Sequence, residues 1–245
     1  MKSDDNPLPE IDFLKGATLL VNKPAEWTSF DVVNKIRHRL RHTLNVKKIK
    51  VGHAGTLDPL ATGLLIICTG KNTKLLADYQ GLPKTYDGTI ILGGSTPSYD
   101  AETEVDEVFP TDHITSDMIQ QTAQSMTGPM DQIPPMFSAI KVDGQPLYKK
   151  ARKGKVIEVK ARPVIIERFD ILSIDIPTVA FDVECSKGTY IRSLAHDFGK
   201  ALDSGAYLGS LRRTSIGSYQ LDDAWELDEL VNFIDSQGTP EPLKG

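Results

Sequence analysis

One segment concentrates residues able to do chemistry: Gly52-His53-Ala54-Gly55-Thr56-Leu57-Asp58-Pro59-Leu60-Ala61-Thr62-Gly63-Leu64-Leu65. Glycines at 52, 55 and 63 mark tight backbone, and Pro59 biases Asp58 toward an extended conformation. A carboxylate is thereby placed on a constrained loop that runs straight into an apolar strand. An unperturbed aspartate, with a pKa of about 3.9, is ionised at neutral pH and available as a nucleophile. Asp before Pro is also an ordinary turn initiator, so the loop by itself admits a purely structural role. A hydrolytic glycosidase would want a second carboxylic acid as proton donor, and none stands out beside this loop. Arg192 falls in the first turn of a predicted helix, where the helix dipole disfavours a cation. Such a guanidinium calls for an anion, whether a carboxylate, a phosphate or a surface ion pair. No His/Cys cluster has metal-ligand spacing.

The elements that must position these residues follow from periodicity. Thr18–Asn22, Gly63–Cys68 and Tyr86–Leu92 read as buried strands. Val179 to Cys185 alternates apolar and polar residues, the pattern of a half-buried strand. Thr28-Ser29 offers an N-cap, with Asp31 in the first turn and Phe30, Val33, Ile36 and Leu40 on one helical face. Ile191–Leu202 reads as a helix turning Leu194, Ala195, Phe198, Ala201 and Leu202 inward, and Thr115–Thr127 and Glu226–Ile234 as further helices. Strands and helices mix without regular βαβ alternation, which predicts an α+β fold around a mixed, mainly antiparallel central sheet flanked by helices. The stretch 128–155, with Pro129, Pro134, Pro135, three glycines and many lysines, reads as a long excursion from the core.

At 245 residues, 40% hydrophobic and 25% charged, the composition is that of an ordinary globular protein. Leu64-Leu65-Ile66-Ile67-Cys68 is too short to span a bilayer, and the acidic, proline-containing start lacks the apolar core of a secretory signal. Cys68 and Cys185 sit in apolar runs, which predicts buried free thiols in a reducing cytoplasm. The net charge of −5 hides a segregation. Residues 35–50 carry Lys35, Arg37, Arg39, Arg41, Lys47, Lys48 and Lys50 and no acid, and residues 141–162 carry eight bases against Asp143 and Glu158. The acids gather in 100–117 and in the tail from Asp222. Segregated charge of this kind gives one face that attracts phosphates and another that repels them.

The run GHAGTLDPLATGLL resembles the signature of the TruB-type tRNA pseudouridine synthases. Three further segments resemble the same family in the same order. They are Leu19 to Pro24 followed by Thr28-Ser29; Lys84-Thr85-Tyr86; and Ser186 to Ser193 followed by Leu211-Arg212-Arg213. The resemblance covers roughly residues 15–235 and implies the pseudouridine synthase fold. It implies isomerisation of a uridine in the tRNA T-loop, at position 55, to pseudouridine, with no cofactor and no metal. Asp58 is then the nucleophile and Arg192 its paired arginine. Extruding the uridine costs a few kcal/mol, and stacking on an aromatic face returns about 1–3 kcal/mol. Tyr86 is the stacking residue, Tyr190 a pocket contact, and Leu211 closes the apolar side. His53 inserts beside the flipped nucleotide or caps a turn. Lys23 binds phosphate, supports the pocket or is structural. Lys149, Lys150 and Arg152 grip RNA from the insertion at about 128–155. The expected organisation is a catalytic domain over 15–235, flexible tails at 1–14 and 236–245, and no C-terminal PUA domain. The expected partner is the tRNA T-stem-loop, met in the cytoplasm by a monomer with no obligate protein partner and no membrane. Where the family pattern continues its Lys-Pro turn with a glycine, this chain has Ala25-Glu26-Trp27. Two other readings are an RNA-binding or folding protein without turnover and the catalytic subunit of a guide-RNA pseudouridylation complex.

Overall fold

The computed structural model describes residues 11–138, 140–142, 144–147, 150 and 157–237. In chain order the elements begin β1 (Thr18–Lys23), α1 (Ser29–Thr43), β2 (Val51–Ala54), β3 (Thr62–Thr69), a 3-10 turn (Gly70–Leu75) and α2 (Leu76–Gly81). There follow β4 (Lys84–Leu92), β5 (Gly94–Ser95), β6 (Glu107–Val108), α3 (Ser116–Ser125), β7 (Gly128–Gln132), β8 (Lys141–Val142) and β9 (Gln145–Pro146). The last are β10 (Arg162–Asp175), β11 (Thr178–Cys185), α4 (Ile191–Ala201), β12 (Ala206–Ile216), β13 (Tyr219–Gln220), β14 (Trp225–Glu226) and α5 (Leu227–Ser236). They form two compact units, one from the residues up to Gly81 and from Tyr219 on, the other from Leu82–Ser218.

In the first unit β3 lies between β1 and β2, antiparallel to both, and β14 adds to β1 in parallel. Leu19, Val21, Leu65 and Ile67 from the strands meet Val32, Val33, Ile36 and Leu40 of α1 and Leu230, Phe233 and Ile234 of α5 in one apolar cluster. Helix α1 starts at a reciprocal cap: the Asp31 N–H donates to the Thr28 hydroxyl (3.1 Å) and the Thr28 N–H to the Asp31 carboxylate (2.9 Å). Two expectations fail here. Phe30 is 60% exposed, because at 3.6 residues per turn it falls about 100° from the centre of the buried stripe. The expected tail over 1–14 is not all tail: Phe13 is 1% exposed in the core, and its carbonyl accepts from the Thr69 hydroxyl (2.8 Å).

The second unit is an antiparallel sheet in the order β12-β4-β11-β10-β7. Helix α4 turns Leu194, Ala195 and Phe198 inward, and Phe198 packs edge-on against Phe169, which also meets Phe181. Ala201, expected inside, is exposed. The excursion expected from 128 begins later, because Gly128–Gln132 pairs along its length with Arg162–Ile166 of β10. The α+β class with a mainly antiparallel sheet flanked by helices is borne out, and both cysteines are buried and free.

Candidate active site

Asp58 sits, half-buried, on the loop joining β2 to β3. Gly55 and Gly63 take φ of +79° and +100°, conformations open mainly to glycine, where the chain leaves β2 and where it enters β3. Between them the loop is anchored on both sides of Asp58. On one side the Leu57 N–H donates to the Ser29 hydroxyl (2.9 Å), and that hydroxyl donates back to the Leu57 carbonyl (3.2 Å). On the other, the Lys23 ammonium donates to the Pro59 carbonyl (3.1 Å), and also to those of Trp27 (2.5 Å) and Pro24 (2.8 Å). The Asp58 carbonyl itself closes a turn by accepting from the Ala61 N–H (3.2 Å). Ser29 is 1% exposed and Lys23 wholly buried, so neither anchor is open to competition from water. Burial also corrects the phosphate reading of Lys23: its ammonium ties the Lys-Pro turn to the Asp58 loop and has no surface to offer a ligand. The turn tolerates its missing glycine because Glu26 takes φ +66°, the left-handed conformation a glycine adopts freely.

In the second unit, Arg192 is buried at 4% exposure in the first turn of α4. Its guanidinium donates to the carbonyls of Ser98 (3.1 Å) and Phe137 (3.0 Å), and its Nε lies 3.6 Å from the carboxylate of Asp100. Asp100 is itself 5% exposed and accepts from the Ser98 hydroxyl (2.6 Å) and the Glu102 N–H (3.0 Å). One acid of the run 100–117 therefore lies inside, holding a cation, rather than on a solvated face. Tyr190 caps the same helix, and Gln132 of β7 brackets its backbone, accepting from the Tyr190 N–H (2.7 Å) and donating to its carbonyl (3.1 Å). Tyr86 is buried on β4 opposite Arg213 of β12, and Leu211 lies opposite Gly88. β12 carries register shifts on both sides of this stretch, which re-aim its side chains.

The TruB family pseudouridylate synthase model (N-terminal domain) matches residues 41–191, and the tRNA pseudouridylate synthase B C-terminal domain model matches 192–244. The chain is 50% identical over 225 residues to the tRNA pseudouridine synthase B of Parabacteroides distasonis, covering 92% of this chain and 96% of that one. It is 52% identical over 217 residues to the enzyme of the same name from Flavobacterium johnsoniae, covering 88% and 95%. The chain belongs to the TruB family. Among solved structures it resembles a chain of a Cbf5-Nop10-Gar1 complex with a TM-score of 0.69 and 29% identity, covering 90% of this chain and 55% of that one. A chain of an H/ACA RNP bound to a substrate RNA containing 2'-deoxyuridine matches with a TM-score of 0.67 and 27% identity, covering 94% and 57%. This TruB-family chain thus spans little more than half the length of those structural neighbours.

Of the residues the TruB motifs picked out, the structure gathers Lys23 and the Asp58 loop in the first unit, with His53 half-buried on β2 opposite Ile67. Tyr86, Tyr190, Arg192 and Leu211 belong to the second unit. Lys150 is half-buried, while Lys149 and Arg152 lie outside the described residues. Sequence reasoning missed Ser29 as an anchor, Asp100, Gln132, and Lys84, which burial and then the nearby Arg213 charge push down to about 8. Lys84 carried a signal as the first residue of the Lys-Thr-Tyr motif, and Ser29 as part of the Thr28-Ser29 pair. Among the described residues, no group of three His, Cys, Asp or Glu side chains is placed to hold a metal ion, and no helix is long and apolar enough to cross a membrane.

Proposed function

We propose that this TruB-family enzyme isomerises uridine 55 in the T-loop of tRNA to pseudouridine, with Asp58 as the nucleophile. The observation that carries the reading is the Asp58 loop itself, clamped at Leu57 by Ser29 and at Pro59 by Lys23. A carboxylate that must meet a carbon of an extruded nucleotide gains from being held in one place before the substrate arrives. Tyr86 stacks on the flipped base, Tyr190 and Leu211 complete the pocket, and His53 occupies the space the base leaves. Arg192 acts on the same step as Asp58, as the arginine that orients the catalytic carboxylate and keeps it charged. The relatives' names support tRNA as substrate. The chain works in the cytoplasm as a monomer.

The test is turnover of an unmodified tRNA transcript by the purified chain alone. Asp58→Asn should abolish isomerisation while tRNA affinity stays within about tenfold, roughly 1.4 kcal/mol. Multiple turnover by that variant would remove Asp58 from the chemistry. The resemblance to H/ACA structures favours a second reading, in which a guide RNA presents the substrate. Activity on tRNA with no added protein or guide RNA decides against it.

A further inference from the structure

Helix α4 begins on a residue poorly suited to begin it. An N-cap is usually Ser, Thr, Asp or Asn, whose side chain accepts from an N–H of the first turn. Here it is Tyr190, extended at φ −101° and ψ 108°, and its side chain makes no such bond. The sequence gives up a side-chain cap at this position and keeps an aromatic ring there. The backbone of the cap is fixed instead by Gln132, the last residue of β7 and 58 positions away in the chain. A carboxamide carries an acceptor and a donor at one end, and Gln132 spends one on each backbone group of Tyr190. Its oxygen accepts from the Tyr190 N–H (2.7 Å) and its nitrogen donates to the Tyr190 carbonyl (3.1 Å). In a capping box the group that reaches back to the N-cap N–H is a Glu or Gln three residues into the same helix. In α4 that residue is Ser193, whose hydroxyl donates to the Ile133 carbonyl (2.8 Å) instead. The box is completed from another strand.

Gln132 is 1% exposed, so water does not compete for these two bonds. The far end of the loop that joins β11 to α4 is secured separately. The Ser186 N–H donates to the Ile165 carbonyl (2.9 Å), the Ile165 N–H donates to the Ser186 hydroxyl (2.9 Å), and the Thr189 hydroxyl donates to the Ser186 carbonyl (2.9 Å). Gln132 therefore sets the end that carries Tyr190. The chain after it stays beside the helix: Pro134 and Pro135 are buried, and the Phe137 carbonyl accepts from Arg192 (3.0 Å).

We propose that Gln132 is a positioning residue for the isomerisation, fixing where Tyr190 stands before RNA arrives and acting on turnover rather than on affinity. The proposal rests on the reading of Tyr190 as a pocket residue given above. Because two bonds of opposite sense are made, the side chain must both donate and accept. Glutamate has the same shape but keeps only the acceptor and turns an anion toward the Tyr190 carbonyl; methionine has a similar length and forms neither bond of comparable strength.

Isomerisation of an unmodified tRNA transcript at saturating enzyme is followed in a single turnover, with Kd measured in parallel. The proteins are the wild type, Gln132→Met, Gln132→Glu and Tyr190→Ala, together with each Gln132 substitution combined with Tyr190→Ala. A 1 Å misplacement can cost about 100-fold in rate, so Gln132→Met should slow the step by about 10–100-fold. Gln132→Glu should fall between it and the wild type, and Kd should stay within about twofold throughout the Gln132 variants. With Tyr190→Ala there is no ring left to place, and adding Gln132→Met should slow the step by no more than about twofold further. A merely structural role predicts the same loss in both backgrounds, so equal losses overturn the proposal. A folded Gln132→Met with the wild-type rate also overturns it, as does a weakened Kd with the rate intact. Where Gln132→Met does not fold, Gln132→Glu carries the same comparison. A wild type that does not turn over tRNA would overturn the proposed function and this inference together, whereas an active wild type with equally active Gln132 variants overturns this inference alone.

Discussion

Lys23 is a lysine with no surface, and its three carbonyl partners belong to the two stretches of chain that flank it and Asp58. Replacing it with methionine keeps the packing but leaves three buried acceptors without this donor, a loss of about 2–4 kcal/mol. Because the anchor acts on loop position, Lys23→Met should lower kcat on tRNA and leave KM nearly unchanged. Urea unfolding and steady-state kinetics measure the two effects; a raised KM with intact kcat would instead mean that Lys23 touches the substrate. At this scale the sequence exposes the chemistry-bearing residues and hides their supports. Asp58, Tyr86 and Arg192 stand out because they sit in ordered motifs. The supporting roles of Ser29, Asp100 and Gln132 do not, because each meets its partner 28 or more positions away, where only folding brings them together. Lys23 shows how ambiguous one residue type is: exposed it would bind phosphate, buried it is a strut.

At the level of elements, periodicity found the strands and helices with an unmixed apolar face and missed those without one. β3 and β11 were legible because one is a continuous apolar run and the other alternates strictly. β10 and β12 were not. β10 carries charges through its length, and β12 buries Arg213 where an apolar residue would have given the pattern away. Helix α4 was legible, yet its packing rests on a feature no periodicity shows: a Cβ on Gly199 would strike the backbone of Ala206 in β12. The same helix presents His196 stacked on Tyr99, ring centroids 3.8 Å apart and planes 8° apart, with its Nδ1 buried and unpartnered among the described residues. Burial, and then the Lys200 charge against a weaker pull from Asp106, hold the imidazole down to about 4, against 6.5 in the free residue. Between those two values the unfolded chain binds a proton that the native state does not, so stability should fall as pH drops from 6.5 toward 4 and stop falling below it. His196→Gln should flatten that part of the curve of urea midpoint against pH. An equal slope in the variant would assign the acid sensitivity to other groups.

Over the whole molecule, a net charge of −5 and an RNA substrate are reconciled by where the charges go. The acidic C-terminal helix neutralises part of the basic run through Asp228 and Asp235, and Asp100 is consumed inside by Arg192. The sequence offers one further basic run to phosphate, the insertion bearing Lys149, Lys150 and Lys153. Lys149→Ala/Lys150→Ala/Lys153→Ala should weaken binding alike for all tRNAs, flatten the salt slope by about 0.7 per phosphate left without its lysine, and leave the rate at saturating RNA nearly unchanged. An insertion triple with the wild-type slope would make that basic run a solvated face, and the phosphate grip would have to be sought in the run 35–50.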